Sequence, residues 1–293
     1  MGGESKIVKK SGLMMLLFAA PALMLVAGFV GYPLLYTVYL SFTNKHSVET
    51  VISFVGFANY SKLLGDEVFW RDFGNTLIYT GGTVSLQLLC GIVVALILNE
   101  NFKGRSIARG LALFPYVVPF IVATLVWKWM LNPMYGIVQY WLMNWGIVSP
   151  TFDWGASGYW SMLFTILVGV WWLHPFVTMC VLSRLQVINP ELYNAAHIDG
   201  ASAWGRFRHI TMSQLRPVLF IVILLRLIWM FVNFDGVYLM TRGGPIGQTE
   251  TLPLLIYMKA FSAYRWGEAS AVAVVMFLVL VVATIAYFKV YRR

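Results

Sequence analysis

Asn189 to Pro217 reads NPELYNAAHIDGASAWGRFRHITMSQLRP, the longest strongly polar interruption in an otherwise apolar second half of the chain. Asn189 can cap a helix, Pro190 suits the first helical position where a missing N–H is no loss, and Glu191 complements the positive end of the helix dipole. Ala195 and Ala196 give that helix a low-profile face. Gly200 can take the left-handed backbone geometry that ends one helix and turns into another. A second short helix is expected from about Ala201, with Trp204, Phe207 and Ile210 on an apolar stripe and Arg206, Arg208 and His209 mostly on other faces. The stretch is therefore a polar helix-turn-helix set between much oilier segments.

Those segments decide the class. With 59% hydrophobic and only 11% charged residues, the chain cannot be a water-soluble globule and belongs in a bilayer. The net charge of +9 does not point to nucleic acid, because the basic residues are dispersed at the ends of long apolar runs, where they anchor beside anionic head groups. Cys90 and Cys180 fall inside apolar runs and read as small buried hydrophobes, with no disulfide framework.

Six uncharged or nearly uncharged runs are long enough to cross a bilayer of roughly 30 Å, at about 12–42, 73–99, 107–131, 159–182, 218–240 and 269–288. The first is too long for a signal-peptide core and has no obvious small-residue cleavage site, so it is expected to stay as an uncleaved span. Pro21 and Pro33 lie in it, and Pro115 and Pro119 lie in the third, where neighbours or water can satisfy the freed carbonyls. Trp129 to Phe152 is aromatic but broken by Asn132-Pro133, Gly136 and Pro150, and reads as a partly interfacial helix. The expected fold is an all-α integral membrane protein. A short N-terminus at 1–10 precedes one transmembrane domain over 11–293, with the helix-turn-helix loop at 189–217.

Lys and Arg test the orientation. Thirteen (Lys6, Lys9, Lys10, Lys103, Arg105, Arg109, Arg184, Arg206, Arg208, Arg216, Lys289, Arg292 and Arg293) lie on the side of both termini and the 189–217 loop, and seven (Lys45, Lys62, Arg71, Lys128, Arg242, Lys259 and Arg265) on the other. The excess predicts cytoplasmic termini and a cytoplasmic loop.

Catalytic and metal-binding patterns are missing from the sequence. Gly243-Gly244 runs into Pro245, Ile246, Gly247 and Gln248, with no Walker A lysine, and His46, His174, His197 and His209 are scattered with no HExxH spacing. No catalytic residue and no metal ligand are expected. Polar groups inside the spans fit a path across the membrane, because such side chains are kept only where they find a partner or water. The candidates are Asn75, Gln87, Trp229, Asn233, Phe234 and Asp235, with His174 and Arg226 nearby. Asn233 and Gln87 suit either sugar contact or helix-to-helix hydrogen bonds, and Arg226 and Asp235 suit locks between helices or subunits near the membrane edges. Trp229 and Phe234 share a span with Asn233, and their rings could stack on the apolar face of a sugar. Gly243, Gly244 and Pro245 form a tight turn on the side opposite the 189–217 loop.

Asn194, Ala195, Ala196, Asp199, Gly200 and Ala201, followed by Trp204, Phe207 and Ile210, resemble the "EAA" coupling motif of ABC importer permeases. Asn194 stands where that family usually has Glu, and Ser213 where it usually has Pro. The chain as a whole resembles the carbohydrate-uptake branch, of the maltose and glycerol-3-phosphate type. Pro21–Phe42, Phe54–Tyr60 (FVGFANY), Asn75-Thr76, Thr241–Pro245 (TRGGP) and the closing helix carry the likeness beyond the loop. The resemblance implies half of a translocation path for a sugar or sugar derivative in a bacterial or archaeal cytoplasmic (inner) membrane. It implies a second homologous permease, an ABC ATPase dimer docked on Asn194 to Phe207, and an extracytoplasmic sugar-binding protein facing Gly243 to Pro245. ATP and Mg would sit on the ATPase and no cofactor on this chain; lipid is the remaining partner. The rival reading is an ion-gradient-driven secondary transporter, which is expected to show internal repeats and several buried acids. The sequence shows no clear repeat and, among the spans, Asp235 as the acid.

Overall fold

The computed structural model describes residues 18–46 and 52–291. Lys6, Lys9, Lys10, the 1–10 segment, the start of the first expected span, and Arg292 and Arg293 lie outside the described residues. Among these described residues the regular structure is helical, with two isolated β-bridges. Five helices are long and apolar enough to cross a membrane, and a bent pair makes a sixth if it counts as one span.

The chain divides into two compact units. The first takes the chain up to Asp66 together with Ile256–Leu278. It holds α1 (Phe18–Ser41) and α2 (Ala58–Leu64). Asn59 Nδ2 donates to the carbonyls of Ser41 and Thr43, both at 2.8 Å, so the chain leaving α1 is strapped to α2. Phe42, Phe54, Phe57 and Tyr60 cluster over that strap. Glu268 collects Lys62 at 2.6 Å and Lys259 at 3.1 Å.

The second unit, Glu67–Leu255 and Val279–Arg293, carries the remaining long helices. They are α3 (Glu67–Asn99), the pair α4 (Arg105–Val117) and α5 (Phe120–Met130), α6 (Ile137–Asn144) and α7 (Gly158–Leu185). After α8 (Pro190–Ile198) come α9 (Ala203–Phe231) and α10 (Asp235–Met240). α11 (Leu252–Ser262) starts in this unit, and α12 (Trp266–Tyr291) ends in it.

Two expected spans are remodelled. The run at 107–131 is not one rod: α4 and α5 meet at 94°. Pro119 forces the residue before it out of helical geometry, and Val118 sits at φ −70°, ψ 129°, whereas Pro115 is carried inside α4. The run at 218–240 is displaced. α9 begins at Ala203, fifteen residues earlier, and breaks after Phe231; the rest of the run is the separate α10. The second helix of the 189–217 loop is thus the first turns of a span, continued through a π turn at Phe207–Thr211. The 8-residue α6 occupies the stretch read as interfacial.

α3, α7 and α9 pack on Ala95, Val177, Val181, Leu185, Leu215 and Val222. Membrane helices gain little from excluding lipid and must approach closely to gain dispersion, so small residues sit at the contact. Gly91 is the tightest: a Cβ there would lie 2.6 Å from Val177 Cβ and 3.2 Å from the Thr178 backbone nitrogen. Gly91→Val is expected to destabilise the protein by about 1–3 kcal/mol through overpacking. Gly110→Ala, on α4 with nothing within 4 Å of the new methyl, should leave the thermal midpoint unchanged or raised. Equal midpoints for Gly91→Val and the parent protein would show that this contact is not close.

Hydrogen bonds gather the loops of this unit at two ends. At one, Gln248 Oε1 accepts from Gly158 N at 2.9 Å, Asn75 Nδ2 donates to Glu250 O at 2.9 Å, and Leu252 N donates to Thr76 Oγ1 at 2.9 Å. At the other, Arg105 bonds the carbonyls of Leu98 and Asn99, and Arg184 grips Gln214 through Nε and Nη2.

Candidate functional site

The 189–217 loop is built from local capping. Asn189 Oδ1 accepts from Glu191 N at 3.0 Å and Pro190 takes the first helical position, so α8 starts where its orphan N–H groups are best met. It stops at a paired C-terminal motif, in which Ala201 N bonds Ala196 O at 2.9 Å and Gly200 N bonds His197 O at 3.1 Å. That geometry needs a left-handed residue, and Gly200 has φ 75°. Ser202 Oγ then accepts from Gly205 N at 3.1 Å, which starts α9 at Ala203 instead of Ala201. Arg206 Nη1 donates to Ala201 O at 2.7 Å, and Tyr193 and Thr211 share a hydroxyl–hydroxyl bond of 2.9 Å, so α8 is fastened to the first turns of α9.

No residue of α8 is buried. Asn194, Ala195, Asp199 and Gly200 are exposed; Ala196 and Ala201 are half-buried. Ile198 is 86% and Trp204 67% exposed, and the half-buried Phe207 ring lies 5.4 Å from Trp204. The Asp199 carboxylate has no hydrogen bond or ion pair among the described residues. The result is a protruding helix with apolar residues and a free carboxylate at its C-terminal corner, fixed to the end of a long helix.

The candidate path residues separate into two groups. Gln87 is wholly buried, and its Oε1 accepts from Arg226 Nε at 2.8 Å. Arg226 is equally buried, with its guanidinium 5.6 Å from the rings of Phe176 and Trp229. Asn75 is spent on the Glu250 carbonyl. Asn233 Oδ1 accepts from Gly236 N at 3.0 Å and from Tyr79 Oη at 3.1 Å, so it caps α10 and ties the break to α3. Trp229 and Asp235 are exposed, while Phe234 is half-buried and stacked on Tyr238 at 4.8 Å. The sequence reading missed Tyr79, Phe176 and the capping role of Asn233; the Asn-x-Asp-Gly pattern at 233–236 was the available signal for the last.

In the 241–251 loop, Thr249 Oγ1 bonds Thr241 Oγ1 and Gly244 O, each at 2.7 Å. Gly243 is buried with φ 84°, and Gly244 and Pro245 are half-buried around a cis bond. The exposed tip is Ile246, 92% accessible, two residues beyond Gly244. Among the described residues no three His, Cys, Asp or Glu side chains are grouped to hold a metal.

Residues 87–293 match the family model described as "Binding-protein-dependent transport system inner membrane component". The chain belongs to this family. It is 36% identical over 270 residues to the inner membrane ABC transporter permease protein YcjO of Escherichia coli (strain K12), covering 90% of this chain and 89% of that one. It is 36% identical over 286 residues to the trehalose/maltose transport system permease protein MalF of Thermococcus litoralis, covering 97% and 94%. A crystal structure of a bacterial ABC transporter involved in the import of the acidic polysaccharide alginate contains a chain with the same fold, at TM-score 0.83 and 22% identity over 98% of both chains. This chain is thus a membrane-embedded transport subunit of the ABC permease class, not a secondary transporter.

Proposed function

We propose that this permease forms half of the translocation path of an ATP-driven importer for a sugar or sugar derivative. A second, similar permease supplies the other half, and an ABC ATPase dimer, which carries ATP and Mg, docks on α8. The observation that carries the reading is α8 itself: a helix with no buried residue, capped at both ends and joined by Gly200 to a helix that runs from Ala203 to Phe231. A partner that grips α8 grips that helix. Closure of the ATPase pair then biases the path between inward-facing and outward-facing arrangements, with binding energy needed only to shift a two-state equilibrium.

Both termini lie with α8 on the cytoplasmic side, as the Lys and Arg excess supports. The loop tip at Ile246 faces the sugar-binding protein outside. The sugar class follows from the trehalose/maltose relative and from exposed Trp229, whose ring suits a sugar face. The test is ATPase activity of the purified complex in lipid, with and without the binding protein and candidate sugars. Stimulation by both is the expected result. Copurification of no ATPase, with uptake by this chain driven by an ion gradient, would replace the reading.

A further inference from the structure

A groove of about 560 Å³ lies between the first turns of α9 and the end of α12, and no described element of the chain fills it. Its character changes along its length. Arg208 and Arg216 come first along α9, and Leu219 and Ile223 line the groove about one and two turns beyond Arg216. Phe220, Tyr287 and Tyr291 form its aromatic wall: Tyr287 Oη donates to Phe220 O at 3.0 Å, and Phe220 stacks on Tyr291 with centroids 3.7 Å apart.

The two arginines share the groove because of the backbone. Residues eight apart on a plain α-helix point about 80° away from each other. The π turn at Phe207–Thr211 turns less per residue and removes most of that difference. No Asp or Glu lines the groove, and neither guanidinium has a hydrogen bond or ion pair among the described residues. Paired, unneutralised cations at the border of a membrane helix, above an apolar slot, are complementary to one kind of molecule: a negatively charged head group with an acyl chain below it.

We propose that this groove binds an acidic phospholipid, with its phosphate between Arg208 and Arg216 and an acyl chain along Leu219 and Ile223. The site sits where α9 leaves the coupling loop, so lipid there would brace the base of that helix. The inference needs only that the chain is membrane-embedded and does not depend on the transported substrate.

The test is native mass spectrometry of the full-length protein, with any subunits that copurify, released from nanodiscs containing phosphatidylglycerol or phosphatidylcholine. Phosphatidylglycerol is expected to stay bound and phosphatidylcholine to be lost, with glycerol phosphate failing to displace the lipid. The double change Arg208→Gln, Arg216→Gln should weaken retention roughly thirtyfold, two cations at a surface of this kind. Ser213→Trp, which fills the groove with both arginines intact, should also remove the lipid, while Lys103→Gln should not. Equal retention of the two lipids, unchanged retention in both groove variants, or cross-linking of a cysteine at Ile223 to a copurifying protein subunit would each overturn the proposal.

Discussion

Replacing Gly200 by proline is expected to abolish coupled uptake while leaving the protein inserted and assembled in the membrane. Proline fixes φ near −65°, whereas this position needs 75°, and it removes the N–H that bonds His197 O. The local cost is about 3 kcal/mol or more, enough to undo the C-terminal motif of α8. It falls on an exposed turn at the end of α8, a helix with no fully buried residue. Uptake per complex should therefore fall at least tenfold, within the range that a coupling free energy of about 1–3 kcal/mol allows, and ATPase activity should stop responding to sugar. Gly200→Ala separates backbone from space. Nothing lies within 4 Å of the added methyl, so its effect is confined to the left-handed strain of about 1–2 kcal/mol, and uptake should be reduced, not lost. Asp199→Lys reverses a carboxylate that no described group neutralises, and should uncouple without unfolding anything. Normal transport by both Gly200→Pro and Asp199→Lys would sink the coupling role of the loop.

The second large effect is expected at Gln87→Leu. Hydrogen bonds between membrane helices average only about 0.6 kcal/mol, because polar groups find other partners in the unfolded reference state. Arg226 is a different case: its Nη1 and Nη2 have no hydrogen-bond partner within the described chain, and Nε depends on Gln87. Removing that acceptor leaves a buried charge with its aromatic neighbours alone, at a cost on the order of 3 kcal/mol. Arg226→Leu removes the charge and leaves an amide oxygen, a smaller loss of about 1–2 kcal/mol. The double Leu variant removes both polar groups and should recover most of the stability lost in Gln87→Leu. Denaturation midpoints of the four proteins in detergent make the cycle. Additive losses would show that the pair does not hold α3 to α9. If the double variant is stable but transports nothing, one of the pair serves the path as well as the fold.

The apolar runs and the local caps were legible because both are short-range. Asn189, Pro190 and Gly200 each announce a backbone geometry within a few residues, and α8 has the bounds those residues dictate. The bend between α4 and α5 was legible in principle, since Val118 precedes a proline, but two prolines in one apolar run do not say which one breaks it. α9 shows the opposite problem. Charged Arg206, Arg208 and Arg216 hid the fact that the helix starting at Ala203 runs on unbroken into the apolar run, because composition marks where lipid starts and not where a helix starts. The path candidates were least legible. Gln87 and Arg226 are 139 residues apart, and Tyr79 and Asn233 are 154 apart, so no local pattern could show that these polar groups satisfy one another.

The continuity of α9 also sets a scale for movement. Its 29 residues, at about 1.5 Å each, make a rod of roughly 43 Å. A tilt of about ten degrees around its middle would swing each tip by about 4 Å, close to the width of a sugar ring. The rod ends at Phe231, and the interruption at Val232–Phe234 separates it from α10. Trp229 lies on the rod, whereas Asn233, just beyond its end, is tied by its side chain to Tyr79 of α3.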